Sequence, residues 1–281
     1  MLLLPARHGP VPVLQAWFAE DVTAVYGCLE RAELVDVLQC TPAVADALSA
    51  VTYARREFET LLIDLSQTEA ELLRALDPKS CRYEVNKARK LIDASPGDVV
   101  RRWERSETDA KHLIDAFMVR SGYAQPTADQ LWRAGRESGA LEIHTVSYHG
   151  RLVAAHVVLV DWPRRARLLF SATIDRADVA LRSVIGPLNR WLHLEELFEL
   201  RRRGFHEYDF GGVTTDRDSP VYAIGQFKRS FGGRIVREPI VRIARHASTR
   251  AILRGGLDAR RTLAPTWRAL TAKVGRSRSA P

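Results

Sequence analysis

From Leu141 onward the hydrophobic positions spell out a sheet and then a helix. Leu141–Tyr148 is a β-type run that ends at His149-Gly150, a pair suited to a two-residue hairpin turn. Leu152–Asp161 is apolar on both faces: Leu152, Ala154, Val158 and Val160 on one, Val153, Ala155, Val157 and Leu159 on the other. A strand with two apolar faces is predicted to be central and covered on both sides. Trp162–Arg165 reads as a turn and Arg167–Thr173 as a third strand. From about Leu181 to Arg203 the period becomes helical, with Ile185, Leu188, Trp191, Leu192, Leu194, Leu197 and Phe198 in a wide apolar stripe that Gly204 ends. His206–Phe210 returns as a short strand, so the helix closes a β-α-β unit.

Upstream the pattern is helical and less regular. Thr108–Ser121 and Thr127–Glu137 read as helices, the first with Leu113, Ile114, Phe117 and Met118 on one side. The run Glu59–Leu65 looks like a buried strand. Ser66 followed by Glu69 has the spacing of a capping box opening a helix over about Gln67–Leu76, broken at Asp77-Pro78. A basic helix, CRYEVNKARKLID, follows and ends before Pro96-Gly97. Residues 1–57 are punctuated by Pro5, Pro10, Pro12 and Pro42, and only a helix around Asp21–Ala32 is legible there. The order of elements predicts an α/β fold with a mixed sheet.

Composition narrows the class. The 281 residues are 46% hydrophobic, enough for one large core or two small ones, and 27% charged, as in an ordinary globular chain. No run of 18 apolar residues is present, and the apolar start MLLL is too short for a signal-peptide core, so an intracellular, cytoplasmic protein is expected. Cys28, Cys40 and Cys81 are odd in number and widely spaced, which suits a reducing compartment and neither a zinc motif nor a disulfide framework. The net charge of +8 is uneven: residues 246–281 carry eight basic side chains against the single acid Asp258, seven of those net charges. Such a tail can follow phosphates on RNA or an anionic membrane face, or be a solvated extension with no partner.

The densest chemistry lies in Tyr208–Gly233, YDFGGVTTDRDSPVYAIGQFKRSFGG, with two Gly-Gly pairs, an acid at a strand end and a lysine among aromatic residues. It reads as a glycine-rich loop, either a binding loop or a structural turn. His144, His156, His193 and His206 show no metal spacing, and His144 and His156 sit in apolar strands as packed residues would. No Ser-His-Asp order, phosphate-binding P-loop or dinucleotide fingerprint is readable.

YDFGG followed about fifteen residues later by FKRSFGG resembles the C-terminal signature of the Fem family, enzymes that transfer amino acids from aminoacyl-tRNA to peptidoglycan precursors. LLIDLSQTEAELLRALDPKSCRYEVNKARKL resembles the same family's strand, helix and Arg/Lys-rich helix, and the likeness spans roughly Glu59–Ile240. It implies the GNAT-like acyltransferase fold, which the family carries as a tandem pair. The segment before Glu59 is too short for a full first domain. The expectation is therefore a reduced N-terminal GNAT-like segment (1–99), one GNAT-like domain (100–245) and a basic C-terminal extension (246–281).

The resemblance places Phe227 and Lys228 at the reaction centre, where an ammonium can stabilise the oxyanion formed when an amine attacks an acyl ester. Asp209 is the candidate for orienting the acceptor amine. Arg82, Lys87 and Lys90 of the basic helix, Tyr208, Gly211, Gly212, Tyr222 and Arg182 are candidates for substrate binding, though a basic helix face is often merely solvated. The donor expected is aminoacyl-tRNA, with no cofactor or metal, and the acceptor an amine of a cell-wall precursor or small natural product. The alternatives are an acyl-CoA-dependent N-acyltransferase and a non-catalytic RNA- or membrane-surface-binding protein. Acyl-CoA enzymes of this fold carry a glycine-rich pyrophosphate loop before the long helix. Here the stretch DVALRSVIGPLNRW offers Arg182 and Gly186, but Pro187 removes an amide.

Overall fold

A computed structural model describes residues 1–104, 108–121, 128–175, 177–219 and 221–256. The chain forms two compact units: Met1–Glu57 with Glu238–Pro281, and Phe58–Arg237.

In the first unit, β1 (Leu2–His8) and β2 (Val11–Trp17) form an antiparallel hairpin, and β3 (Leu34–Leu38) runs parallel to β2. Helix α1 (Val22–Arg31) joins them, its Asp21 carboxylate accepting from Thr23 N, and α2 (Pro42–Ala47) starts on Thr41 with Pro42 in its first turn. The helix expected at Asp21–Ala32 is present. The strands beside it were hidden by prolines: Pro5 lies in edge strand β1, and Pro12 precedes the β2 residues that pair with β3. Neither position needs the missing amide. Val35, Val37, Val241 and Ile243 pack against Val25, Cys28 and Val44 to form this unit's core.

Strand β4 (Thr52–Asp64) leads into the second unit. It is followed by α3 (Glu69–Ala75), α4 (Cys81–Ala94) and β5 (Val99–Glu104), then α5 (Thr108–Ser121) and α6 (Ala128–Glu137). The capping box sits two residues later than the sequence suggests, on Thr68 and Glu71. Both SQTE and TEAE have the required spacing, but Ser66 N is taken by the Asp64 carboxylate at 2.8 Å, which makes Ser66 part of the turn leaving β4. The hairpin β6 (Leu141–Tyr148) and β7 (Arg151–Asp161) turns at His149-Gly150, whose φ values of 48° and 73° are those of a type I′ turn. Then come β8 (Arg165–Thr173), α7 (Arg182–Arg202), β9 (Glu207–Gly212), α8 (Tyr222–Arg229) and β10 (Arg234–Ala244), whose end pairs with β3 in the first unit.

Within the second unit the strand order is β4-β9-β8-β7-β6-β5, antiparallel except for the parallel pair β8–β9 created by the α7 crossover. This is the mixed sheet flanked by helices that was expected, with β7 central. Its apolar positions serve three cores: the pairing with β6 skips Val153, which joins the side of Ala154, and Val158 packs with Leu197 and Phe198 of α7. Val153 and Ala154 meet Ile185, Leu188 and Leu192 of α7 and Ala88 of α4. Ala155 and Val157 meet Ala110 and Ile114 of α5 and Trp132 of α6.

The units are drawn differently from the segments 1–99, 100–245 and 246–281. Helix α4 and strand β5 pack with α7 and β6, so they join the later elements. The end of β10 returns to β3, and Leu253 of the helical stretch 247–256 packs against Val13, Leu34, Tyr53 and Ala244. A partition along the chain cannot see a returning strand. The rest of the basic extension, 257–281, lies outside the described residues.

Candidate active site

Strand β9 carries the first half of the YDFGG…FKRSFGG pair, and helix α8 carries Phe227–Arg229 of the second. The sequence suggested one continuous loop over Tyr208–Gly233, but Tyr222–Arg229 is helical. Ala223, Ile224, Gln226, Phe227 and Lys228 tolerate a helix well, and Gly225 lets it lie against the preceding segment, since a Cβ there would come 2.9 Å from the Thr214 carbonyl. Lys228 thus projects from the last turn of a helix. Its Nζ donates to the Gly212 carbonyl at 2.7 Å, which joins the two motifs directly. Burial pushes the pKa of this half-buried ammonium down to about 8; the Arg167 guanidinium adds to the fall and Asp209 opposes it. Phe227 packs on His193 and Phe231, with ring centroids 5.6 and 5.4 Å away, and the Arg190 guanidinium lies over its ring at 4.9 Å.

The other candidates separate into two groups. Asp209 is fully buried, accepting from Arg167 Nη1 at 2.9 Å, from Gly211 N at 2.7 Å and from the Thr60 hydroxyl. Those contacts fix the Gly211–Gly212 turn under Lys228. Tyr208 is equally buried and donates to Glu196 at 2.9 Å. Arg82 donates to the carbonyls of Arg74 and Leu76, closing the end of α3. Tyr222 accepts from Gln226 and lies beneath the Arg229 guanidinium at 5.6 Å. Lys87 and Arg182, by contrast, line a cleft of about 680 Å³ together with Glu84, Ser183, Gly186 and Arg190. Lys90 is exposed further along α4. Arg190 ties this cleft to the Lys228 centre through Phe227.

The start of α7 bears on what the cleft can hold. Arg182 N donates to the Asp178 carbonyl at 2.9 Å, and Val184 N and Ile185 N donate to the Leu181 carbonyl at 2.9 and 3.1 Å. Pro187 has no amide. Most of the amides that would cradle a pyrophosphate at a helix N-terminus are therefore already bonded within the chain.

Sequence reasoning missed Glu196. This fully buried carboxylate faces His156 Nδ1 at 2.6 Å, His144 Nδ1 at 3.0 Å, His193 Nδ1 at 3.3 Å and the Tyr208 hydroxyl. Burial alone would raise its pKa, but the surrounding imidazoles outweigh that and hold it well below the usual carboxylate range. Burial, then His156, keeps His193 neutral, with its pKa at about 3. Burial would likewise raise Glu142, but bonds from Arg203 and His144 bring it to about 2. The available signal was three polar positions in apolar surroundings: His144 opposite His156 in the hairpin, and Glu196 within the apolar stripe of α7.

His156, His193 and Glu196 have the chemistry of a zinc-binding set, with ligand atoms within 4.8 Å of one another. The geometry fits a hydrogen-bond network better. The nitrogens address the carboxylate at hydrogen-bond distances, whereas a cation would have to stand between them at about 2.0–2.2 Å from each. The His156 and His193 rings also stack, with centroids 3.8 Å apart and planes 20° from parallel, so their in-plane lone pairs do not converge.

Similar structures extend this picture. FemX superposes with a TM-score of 0.58 at 14% identity, over 85% of this chain and 83% of that one. The C-terminal domain of a protein from Agrobacterium fabrum described as a lysylphosphatidylglycerol synthetase gives 0.51 at 14% identity, over 89% and 83%. L-PGS from Bacillus licheniformis gives 0.51 at 13%, over 89% and 83%. At these identities the likeness is one of fold. No curated protein is similar to the chain in sequence. Residues 79–229, from the helix that lines the cleft to the one that carries Lys228, match the family model described as an acetyltransferase (GNAT) domain, and the chain belongs to that family.

Proposed function

We propose that the protein is an N-acyltransferase that moves an aminoacyl group from aminoacyl-tRNA to the amine of a cell-wall precursor or small natural product. The family supplies the coarser statement, acyl transfer. The donor rests on one observation: the start of α7 spends its amides on Asp178 and Leu181, where a coenzyme A pyrophosphate would need them, while the adjoining cleft is cationic through Lys87, Arg182 and Arg190. Two of the similar structures bear names that point the same way, FemX and a lysylphosphatidylglycerol synthetase.

The chain's own residues then divide the work. The basic cleft holds the phosphate-bearing donor. Phe227 packs the inner wall, and Lys228, fixed on the Gly212 carbonyl, presents an ammonium to the carbonyl oxygen as the neutral acceptor amine attacks the ester. Negative charge builds there only in the transition state, so a preorganised cation lowers the barrier selectively. Asp209 positions this machinery through Arg167 and Gly211. A charged-tRNA donor places the reaction in the cytoplasm, and no helix among the described residues is long and apolar enough to cross a membrane.

The test is amine-dependent discharge. A charged-tRNA pool is incubated with the protein and a panel of amines, and the remaining aminoacyl ester is followed on acid gels. Loss of ester that requires both protein and amine is expected. Ester that persists with every amine, while acyl-CoA is consumed, would replace this reading by the acyl-CoA alternative.

A further inference from the structure

We infer that the exposed face of α4 is a platform for the unpaired 3′ end of the donor tRNA, with Tyr83 stacking on a base and Lys87 and Lys90 holding the flanking phosphates. This rests on the donor reading above. Helix α4 buries Cys81, Val85 and Ala88 and turns Tyr83, Asn86, Lys87 and Lys90 to solvent. Those four stand at i, i+3, i+4 and i+7, so they form one stripe along one side of the helix. It runs for about 10 Å from Tyr83 to Lys90. Tyr83 is 63% exposed, and among the described residues its ring meets no aromatic or cationic partner. Neither lysine forms an ion pair among the described residues.

A single exposed ring says little by itself. The company of this one carries the inference. Lys87 belongs both to the stripe and to the lining of the cleft, where it stands with Arg182 and Arg190, so the stripe borders the cationic cleft. A strand whose end enters that cleft therefore has Lys87, and beyond it Tyr83 and Lys90, beside its next nucleotides. An aromatic ring among cations is what single-stranded nucleic acid selects: the charges follow the backbone and the ring takes a base face. In a duplex those faces are already stacked on one another, so the ring addresses unpaired bases. An aminoacyl-tRNA carries its ester on such an unpaired end. Stacking accepts any base, which suits an end that all charged tRNAs share. A membrane surface fits the stripe less well, since a helix lying in the interface presents a broad apolar face, and here Tyr83 stands among Asn86 and two lysines.

The experiment needs neither acceptor nor charged donor. Uncharged tRNA, intact or trimmed of its unpaired 3′ end, is titrated against the wild-type chain, Tyr83→Ala, Tyr83→Phe and Lys90→Ala at several salt concentrations. The wild type should bind the intact form more tightly. Tyr83→Ala should weaken binding of intact tRNA about fivefold or more, the low end of what one base–aromatic stack contributes, and leave the trimmed form and the salt slope unchanged. Tyr83→Phe should bind as the wild type does. Lys90→Ala should flatten the slope for intact tRNA by roughly 0.7, as expected for one single-stranded phosphate. Equal wild-type affinity for the two forms would overturn the inference without requiring any variant to fold. Intact tRNA bound normally by Tyr83→Ala would overturn it too and leave the donor reading standing, whether or not that variant loses flotation with anionic vesicles. Failure of the wild type to bind either form, with acyl-CoA consumed, would bring down the donor reading and the platform with it.

Discussion

Lys228 combines the two properties an oxyanion-stabilising cation needs: it is fixed, by its bond to Gly212, and it is partly desolvated, which lowers its pKa. Losing one such donor typically costs on the order of 10²–10³ in rate. Lys228→Met keeps the length and removes the charge, so kcat and kcat/KM should fall together while donor affinity stays within about twofold. Near-normal turnover would remove Lys228 from the mechanism. The pKa of about 8 adds a pH signature. Because the group is cationic below that value, transfer should decline as pH rises through about 8, opposite in sign to the acceptor amine, which must lose its proton to attack. Lys228→Arg should retain activity and move this alkaline limb upward; a limb unmoved by the substitution would belong to another group. At this scale the sequence was informative where a motif pointed to a role, as for Phe227 and Lys228. It was silent where the role is spatial. Arg190 and Glu196 have no signature of their own, because they meet groups on other elements, Phe227 on α8 and His144 on β6.

Among the elements, the second glycine pair shows what the FKRSFGG motif does for the fold. Gly233 has φ +85°, and a Cβ there would lie 2.5 Å from the Leu62 carbonyl oxygen of β4. Backbone cannot yield as a flexible side chain can, so Gly233→Ala should destabilise the protein by on the order of 2–4 kcal/mol. Urea unfolding followed by circular dichroism reads this as a lower midpoint at unchanged m; an unchanged midpoint would mean that the β4–Gly233 approach is not maintained. Elements with a sustained period were legible in the sequence, above all β6, β7 and α7. Others were obscured by competing local signals. Prolines hid β1 and β2, glycines hid α8, and two overlapping capping patterns at Ser66 and Thr68 misplaced the start of α3. Strand β5 is the short run VVRRWE, whose arginines mask its pairing with β6.

For the whole molecule, the basic extension is the part whose role the core does not decide. Residues 257–281 hold six basic side chains against Asp258. If they bind tRNA phosphates, a chain ending at Gly256 should bind tRNA more weakly and with a flatter salt dependence, by roughly 0.7–0.9 in slope for each phosphate no longer neutralised. This truncation spares Leu253 and Arg254, which belong to the first unit's packing. An unchanged slope would exclude the extension from tRNA binding, and flotation of both chains with anionic vesicles tests the membrane-surface alternative. The central claim concerns the donor. Its most direct test is a competition in one vessel, with a charged-tRNA pool, an acyl-CoA panel and an amine panel, in which ester and thioester are followed together. The account predicts amine-dependent loss of aminoacyl ester, with product amines heavier by an aminoacyl residue and thioester intact. Thioester consumption with acylated product amines, while the aminoacyl ester stays whole, would contradict it.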